Sequence, residues 1–210
     1  MYRLLQTLVI SLLLTGTTFA ATLDVGGGLA MELSVPDGWT LTREAPIALL
    51  EEAAKHIAHE AADQGASPTH EQLIDAARKR MAANEAILYH EQSGAHLDID
   101  FSPLDEGEKA PSSQTLRKSA KYAAQSLEGE EEVSDVVSGV DRIKIRGAKD
   151  AYLLSADYKH HGHPVRFLGV IGFVPDQWFF FYYTDPLKSK TAYGEMQQVF
   201  DSVLIRVVQE

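Results

Sequence analysis

Residues 177–184 constrain the fold more than any other stretch of this chain. Gln177 leads into six consecutive aromatic residues, Trp178 to Tyr183, followed by Thr184. Aromatic side chains favour extended backbone, and the run is far too short to span a bilayer as a helix. In a strand, successive side chains point to opposite faces. Trp178, Phe180 and Tyr182 then share one face, and Phe179, Phe181 and Tyr183 the other. A strand that is apolar on both faces needs cover on both. It is expected at the centre of a sheet, between two layers.

The surrounding sequence supplies such a sheet. Residues 29–35 and 39–41 read as strands around the turn Pro36-Asp37-Gly38. Residues 86–91 and 96–101 form a hairpin around Ser93-Gly94. Residues 140–146, 151–159 and 164–174 continue the β-rich stretch, with His160, His161, Gly162 and His163 at the tip of one hairpin. A short strand is expected at 204–208. Helical stripes occupy 47–62, the segment from Ser67-Pro68 to about Ala83, 113–127 and 189–202. Glu128 to Asp135 reads as an acidic, solvated connector. Tight turns between strands make the sheet mainly antiparallel, and the helices fall between blocks of strands. The class is α+β, an antiparallel sheet flanked by helices on both faces as an α/β/α sandwich.

Residues 1–20 read as a secretory signal peptide. Arg3 gives the positive start, Leu4 to Leu14 the apolar run, and Thr18 and Ala20 the small residues before a cut after Ala20. That leaves residues 21–210 as a single α+β domain, with no internal repeat and no low-complexity linker. Gly26-Gly27-Gly28 reads as a flexible lead-in. The apolar run is shorter than the ~20 residues of a membrane span, and no later segment is longer. The expected location is the periplasm. The chain contains no cysteine, which excludes a disulfide framework, a cysteine nucleophile, a thiolate metal site and a lipidated cysteine. It also leaves no thiol to mispair in an oxidising compartment. Thirty acidic residues against 19 Lys and Arg give a net charge of −11, which disfavours nucleic acid as a partner.

The order of landmarks resembles the PsbP/Mog-like superfamily, which includes bacterial envelope proteins of the DcrB-like type. The residues that carry the likeness are Val35-Pro36-Asp37-Gly38-Trp39, then Gly147-Ala148-Lys149-Asp150-Ala151-Tyr152 entering a strand, then Phe200-Asp201-Ser202-Val203-Leu204 closing a helix. The likeness covers roughly residues 29–208. It implies a central antiparallel sheet with flanking helices and an accessory or binding role. It carries over no catalytic residues.

Three constellations have chemistry to offer. His56 and His59 lie three apart on the first helix and can share a face. His59-Glu60-Ala61-Ala62-Asp63 has Asp63 where a zincin helix would have its second histidine. His160, His161 and His163 cluster at a hairpin tip, and imidazoles suit zinc, copper or nickel. His96, Asp98 and Asp100 share one face of a strand. They read as a polar sheet face, paired with a stripe of Arg142, Lys144 and Arg146 on another strand. No Gly-x-Ser-x-Gly elbow, phosphate loop or dinucleotide fingerprint is present.

The expected function is that of a non-enzymatic periplasmic accessory or binding protein with no resident cofactor, and the expected partner is another envelope protein. Two alternatives stand beside it. One is a metal-binding protein holding a divalent ion on His160, His161 and His163 or on His56 and His59. The other is a hydrolase with a site of dispersed His, Asp and Glu, signalled by a deep pocket around His96, Asp98 and Asp100. An apolar ligand lodged against the aromatic strand is a further possibility.

Overall fold

The computed structural model describes residues 18–130 and 132–208. The expected signal peptide lies almost wholly outside these residues. The aromatic strand, β9 (Gln177–Asp185), is the middle member of a seven-stranded antiparallel sheet. Its neighbours are β5 (His96–Pro103) and β8 (His163–Val174). The sheet continues through β4 (Ala86–His90) to the edge strand β3 (Trp39–Thr42) on one side. On the other it continues through β7 (Asp150–His160) to the edge strand β6 (Val133–Ile143).

A second, three-stranded sheet has the order β1 (Phe19–Asp24), β2 (Leu29–Val35), β10 (Leu204–Val207). Gly26-Gly27-Gly28, read as a flexible lead-in, is therefore the turn of a β-hairpin, and a strand precedes it. Thr22 to Asp24 pair with β2, and Gly26, Gly27 and Gly28 all take positive φ in the connecting turn. Such φ values suit glycine because it has no Cβ. At Gly27 a Cβ would also lie only 1.8 Å from the Gln177 side chain. A cut after Ala20 would leave Ala21 to Asp24 of β1 still able to pair with β2.

Each face of the large sheet is covered. Phe179, Phe181 and Tyr183 pack with Leu97, Ile99, Leu168 and Val170 against the small sheet and helix α4 (Lys190–Ser202). Ser189 caps α4 by accepting from the Ala192 N–H at 3.2 Å, which satisfies an otherwise orphaned donor. Trp39 ties β3 to this layer by donating from Nε1 to Glu195 at 2.8 Å. On the opposite face, Phe180 and Trp178 pack with Tyr152, Ile171 and Phe173 beneath helix α3 (Ser113–Ser126) through Leu116 and Ala120.

Helices α1 (Ile47–Asp63) and α2 (His70–Met81) form a hairpin with a small core of its own. Leu50, Ala54 and Ala77 are its buried centre, with Ile57, Leu73 and Ile74 packed around them. α2 is capped by Thr69, two positions beyond Ser67, where the sequence reading starts the segment. Thr69 accepts from the Gln72 N–H, and the Gln72 side chain accepts from the Thr69 N–H at 2.8 Å. This reciprocal box satisfies two donors, which a serine two positions earlier cannot reach.

The acidic connector is only half a connector, because β6 begins at Val133. β6 is an edge strand. Charged side chains and a register shift between Ser134 and Val137 blunt it against further pairing. Polar composition here marks an edge rather than a loop.

Candidate functional site

The α1–α2 hairpin is packed on itself and stands over the same sheet face as α3. Between the hairpin and the sheet lies a cleft of about 780 Å³. The register explains its floor. Tyr89 of β4 pairs with His96 of β5, His96 with Thr184 of β9, and Asp98 with Tyr182. Alternation points Tyr89, His96, Asp98 and Thr184 to this face, while Leu88, Leu97, Ile99 and Tyr183 point into the core. α1 supplies the wall through Leu49, Ala53 and His56. Tyr158 and His160 of β7 and Val165 of β8 complete the far side.

Asp98 is the unusual group on this floor. One carboxylate oxygen, Oδ1, is buried and has no hydrogen-bond partner. Burial raises its pKa, and the neighbouring His96 offsets this only in part. Burial likewise raises Asp100. Tyr182, opposite Asp98 on β9, is pushed up to about 12, first by burial and then by the nearby Asp100 and Asp98. His96 uses Nδ1 toward the Gly94 carbonyl at 3.2 Å. A carbonyl can only accept, so this contact places the proton on Nδ1 and the free lone pair on Nε2.

The expected pairing of this polar face with Arg142, Lys144 and Arg146 does not occur. Three strands, β9, β8 and β7, separate β5 from β6. Arg142 instead pairs with Asp150, and Arg146 donates to the Ser202 and Val203 carbonyls. The aromatic strand leaves little room for an apolar ligand. Both its faces are filled by packing, and among its residues only Thr184 lines the cleft.

The histidines gather at the rim. His56, His160 and His161 each bring a ring nitrogen within 4.8 Å of the other two. His56 and His160 stack with ring centroids 5.1 Å apart, and those of His160 and His161 are 4.3 Å apart. The turn between β7 and β8 has positive φ at both central residues, His161 (49°) and Gly162 (79°), as a two-residue hairpin requires. The His161 N–H donates to the Glu132 carbonyl at 3.0 Å, which fixes the tip to the start of β6. The Glu132 carboxylate bridges His161 Nε2 at 2.9 Å and His59 Nε2 at 3.2 Å. Burial, followed by the nearby His161 and His56, lowers the pKa of His160.

Of the five expected metal-binding histidines, three therefore converge. His59 joins them through Glu132, and His163 is exposed at the base of the turn, outside the three-nitrogen group. The zincin-like reading of α1 finds no support in the geometry. Glu60 pairs with Arg80 of α2 at 3.4 Å, and Asp63 is exposed. Among the described residues no helix is long and apolar enough to cross a membrane.

No family model and no curated protein matches this sequence. Solved structures do match over nearly the whole chain. The cyanobacterial PsbP (CyanoP) of Synechocystis sp. PCC 6803 superposes with a TM-score of 0.50 at 12% identity, covering 94% of this chain and 99% of that one. LpqN of Mycobacterium tuberculosis, described as involved in cell envelope biogenesis, superposes with a TM-score of 0.53 at 11% identity, covering 90% and 91%. The chain has a PsbP-like α+β fold, as the order of its sequence landmarks implies. At such identities the likeness speaks for the fold alone.

Proposed function

We propose that this protein is a non-enzymatic accessory protein of the bacterial envelope, exported to the periplasm, which acts by holding a segment of a partner protein in the cleft between α1 and the sheet. The observation that carries this reading is the unpartnered Asp98 oxygen on the cleft floor. A buried acceptor without a donor is costly, and a turn of the Asp98 carboxylate that brings this oxygen to the cleft would let an incoming Lys or Arg side chain satisfy it. Leu49, Ala53 and Val165 offer apolar cover for the stem of such a side chain. The signal-like N-terminus and the involvement of LpqN in cell envelope biogenesis fit the location.

A hydrolase remains the competing reading, because His96 and Asp98 share the cleft. The test is photo-crosslinking in intact cells from position 89 in the cleft, with position 122 on the exposed face of α3 as control. The expected result is one predominant crosslinked protein from position 89 only, lost in Asp98→Ala. No cleft-specific crosslink, or an Asp98-dependent hydrolysis by the purified protein, would overturn the proposal.

A further inference from the structure

We propose that His56, His160 and His161 form a three-imidazole site for a divalent transition-metal ion of the zinc or copper type. His56 and His160 also line the cleft, but the ion needs no occupant there. The site rests on three nitrogens from two remote parts of the chain, α1 and the β7–β8 turn, brought within 4.8 Å of one another. An ion held at 2.0–2.1 Å in tetrahedral geometry needs its ligand nitrogens about 3.3 Å apart. Closing that gap takes modest ring rotation, and the His56 and His161 side chains, 41% and 48% exposed, have room for it.

The surroundings suit the ion. Glu132 accepts from His161 Nε2 at 2.9 Å. That contact places the proton on Nε2 and leaves the Nδ1 lone pair for the metal, the carboxylate–histidine arrangement common behind metal ligands. Glu52, one turn before His56 and 3.9 Å from its Nε2, adds a second carboxylate to balance the cation. Three imidazoles leave a fourth position for water, for a carboxylate, or for a donor from a partner. The backbone hydrogen bond from His161 to Glu132 holds the turn in place, so the site is largely assembled before the ion arrives.

The competing arrangement is a purely local chelate on the hairpin, His160, His161 and His163, which would not need α1. Calorimetric titration of the untagged full chain with zinc distinguishes the two. The expected result is one ion per chain with a micromolar or tighter Kd. Affinity should fall about tenfold or more in His56→Ala and His161→Ala, and in Glu132→Ala through loss of ligand positioning. His163→Ala should stay within about twofold of the parent. His56→Gln keeps the helix and should reproduce the His56→Ala loss. Cobalt substitution supplies a second readout, a visible absorption band that disappears in His56→Gln. Absence of stoichiometric binding, an unchanged affinity in both His56 variants, or a His163→Ala loss as large as that of His56→Ala would overturn the assignment.

Discussion

Gly172 of β8 lies directly opposite Phe179 of β9, and a Cβ at position 172 would come within 2.1 Å of the Phe179 ring. The glycine is what allows the fully buried ring to lie across its neighbour strand. Gly172→Ala is an overpacking change in a filled core, with an expected loss of about 1–3 kcal/mol. Urea denaturation measures it. Phe179→Leu in the same chain should recover part of the loss, giving a coupling energy that independent sites would not show.

Gly147 presents a harder constraint. Its φ is +91°, and a Cβ there would fall 1.8 Å from the Ile205 carbonyl oxygen. No rotamer change can relieve a clash with backbone. Gly147→Ala should lose about 3 kcal/mol or more, combining left-handed strain with displacement of β10. Gly107 also has positive φ, +83°, but faces open space. Gly107→Ala should lose only about 1 kcal/mol, the backbone share alone. Thermal melts of the two variants side by side check the difference.

Asp98 sets a pH dependence of definite sign. Its folded pKa is raised, chiefly by burial, above the ordinary value of 3.8. Stability associated with this group is therefore fully present below that value and is lost as pH rises through the folded pKa. Asp98→Asn keeps the shape and removes the ionisation. The variant should be more stable than the parent at neutral pH, with the advantage shrinking toward pH 4. Asp100 carries a shift of the same sign, so part of the parent's slope should persist in the variant.

Asp157 behaves in the opposite sense. Arg166 donates to it from Nε at 2.9 Å and from a terminal nitrogen at 3.2 Å, and Lys188 adds a contact at 3.0 Å. The Arg166 hydrogen bond is the main reason its carboxyl lies below the usual range. Its contribution is present above the unfolded value and is lost as pH falls through the folded one. Arg166 also lies 4.5 Å over the Tyr193 ring of α4. Arg166→Lys should lose about 1 kcal/mol at neutral pH, a figure kept small by solvent at the partly exposed carboxylate. Chemical denaturation at pH 7 and pH 3 should show that difference narrowing in acid.

The fold was far more legible in the sequence than the site. Six aromatic residues with no polar face leave only the centre of a sheet, and β9 has three strands on either side. The four main helical stripes are equally local signals, each written within one element. β1 has no clear signature in the sequence, because Thr22 to Asp24 follow a leader-like apolar run with no turn to announce them. The pairing proposed for Arg142 failed because residue type says nothing about strand order. The histidine cluster shows the same limit. Each half was visible, His56 on a helix and His160-His161 at a turn, but about a hundred positions separate them in the chain. Which half meets which depends on where the α1–α2 hairpin settles over the sheet. His163 stays outside the group although it lies directly opposite His160 in the β7–β8 register.

The small sheet carries a consequence for timing. Its middle strand, β2, has β1 beside it almost at once, but its other edge waits for β10. The Ser34 N–H finds the Ser202 hydroxyl 168 positions further along, and Glu32 finds Arg206 after 174. During synthesis Met31 and Leu33 therefore remain without their final cover until nearly the whole described chain has emerged. Completion of the fold is tied to the arrival of its last strand. A chain wired in this way leaves one edge of β2 open until β10 has joined it.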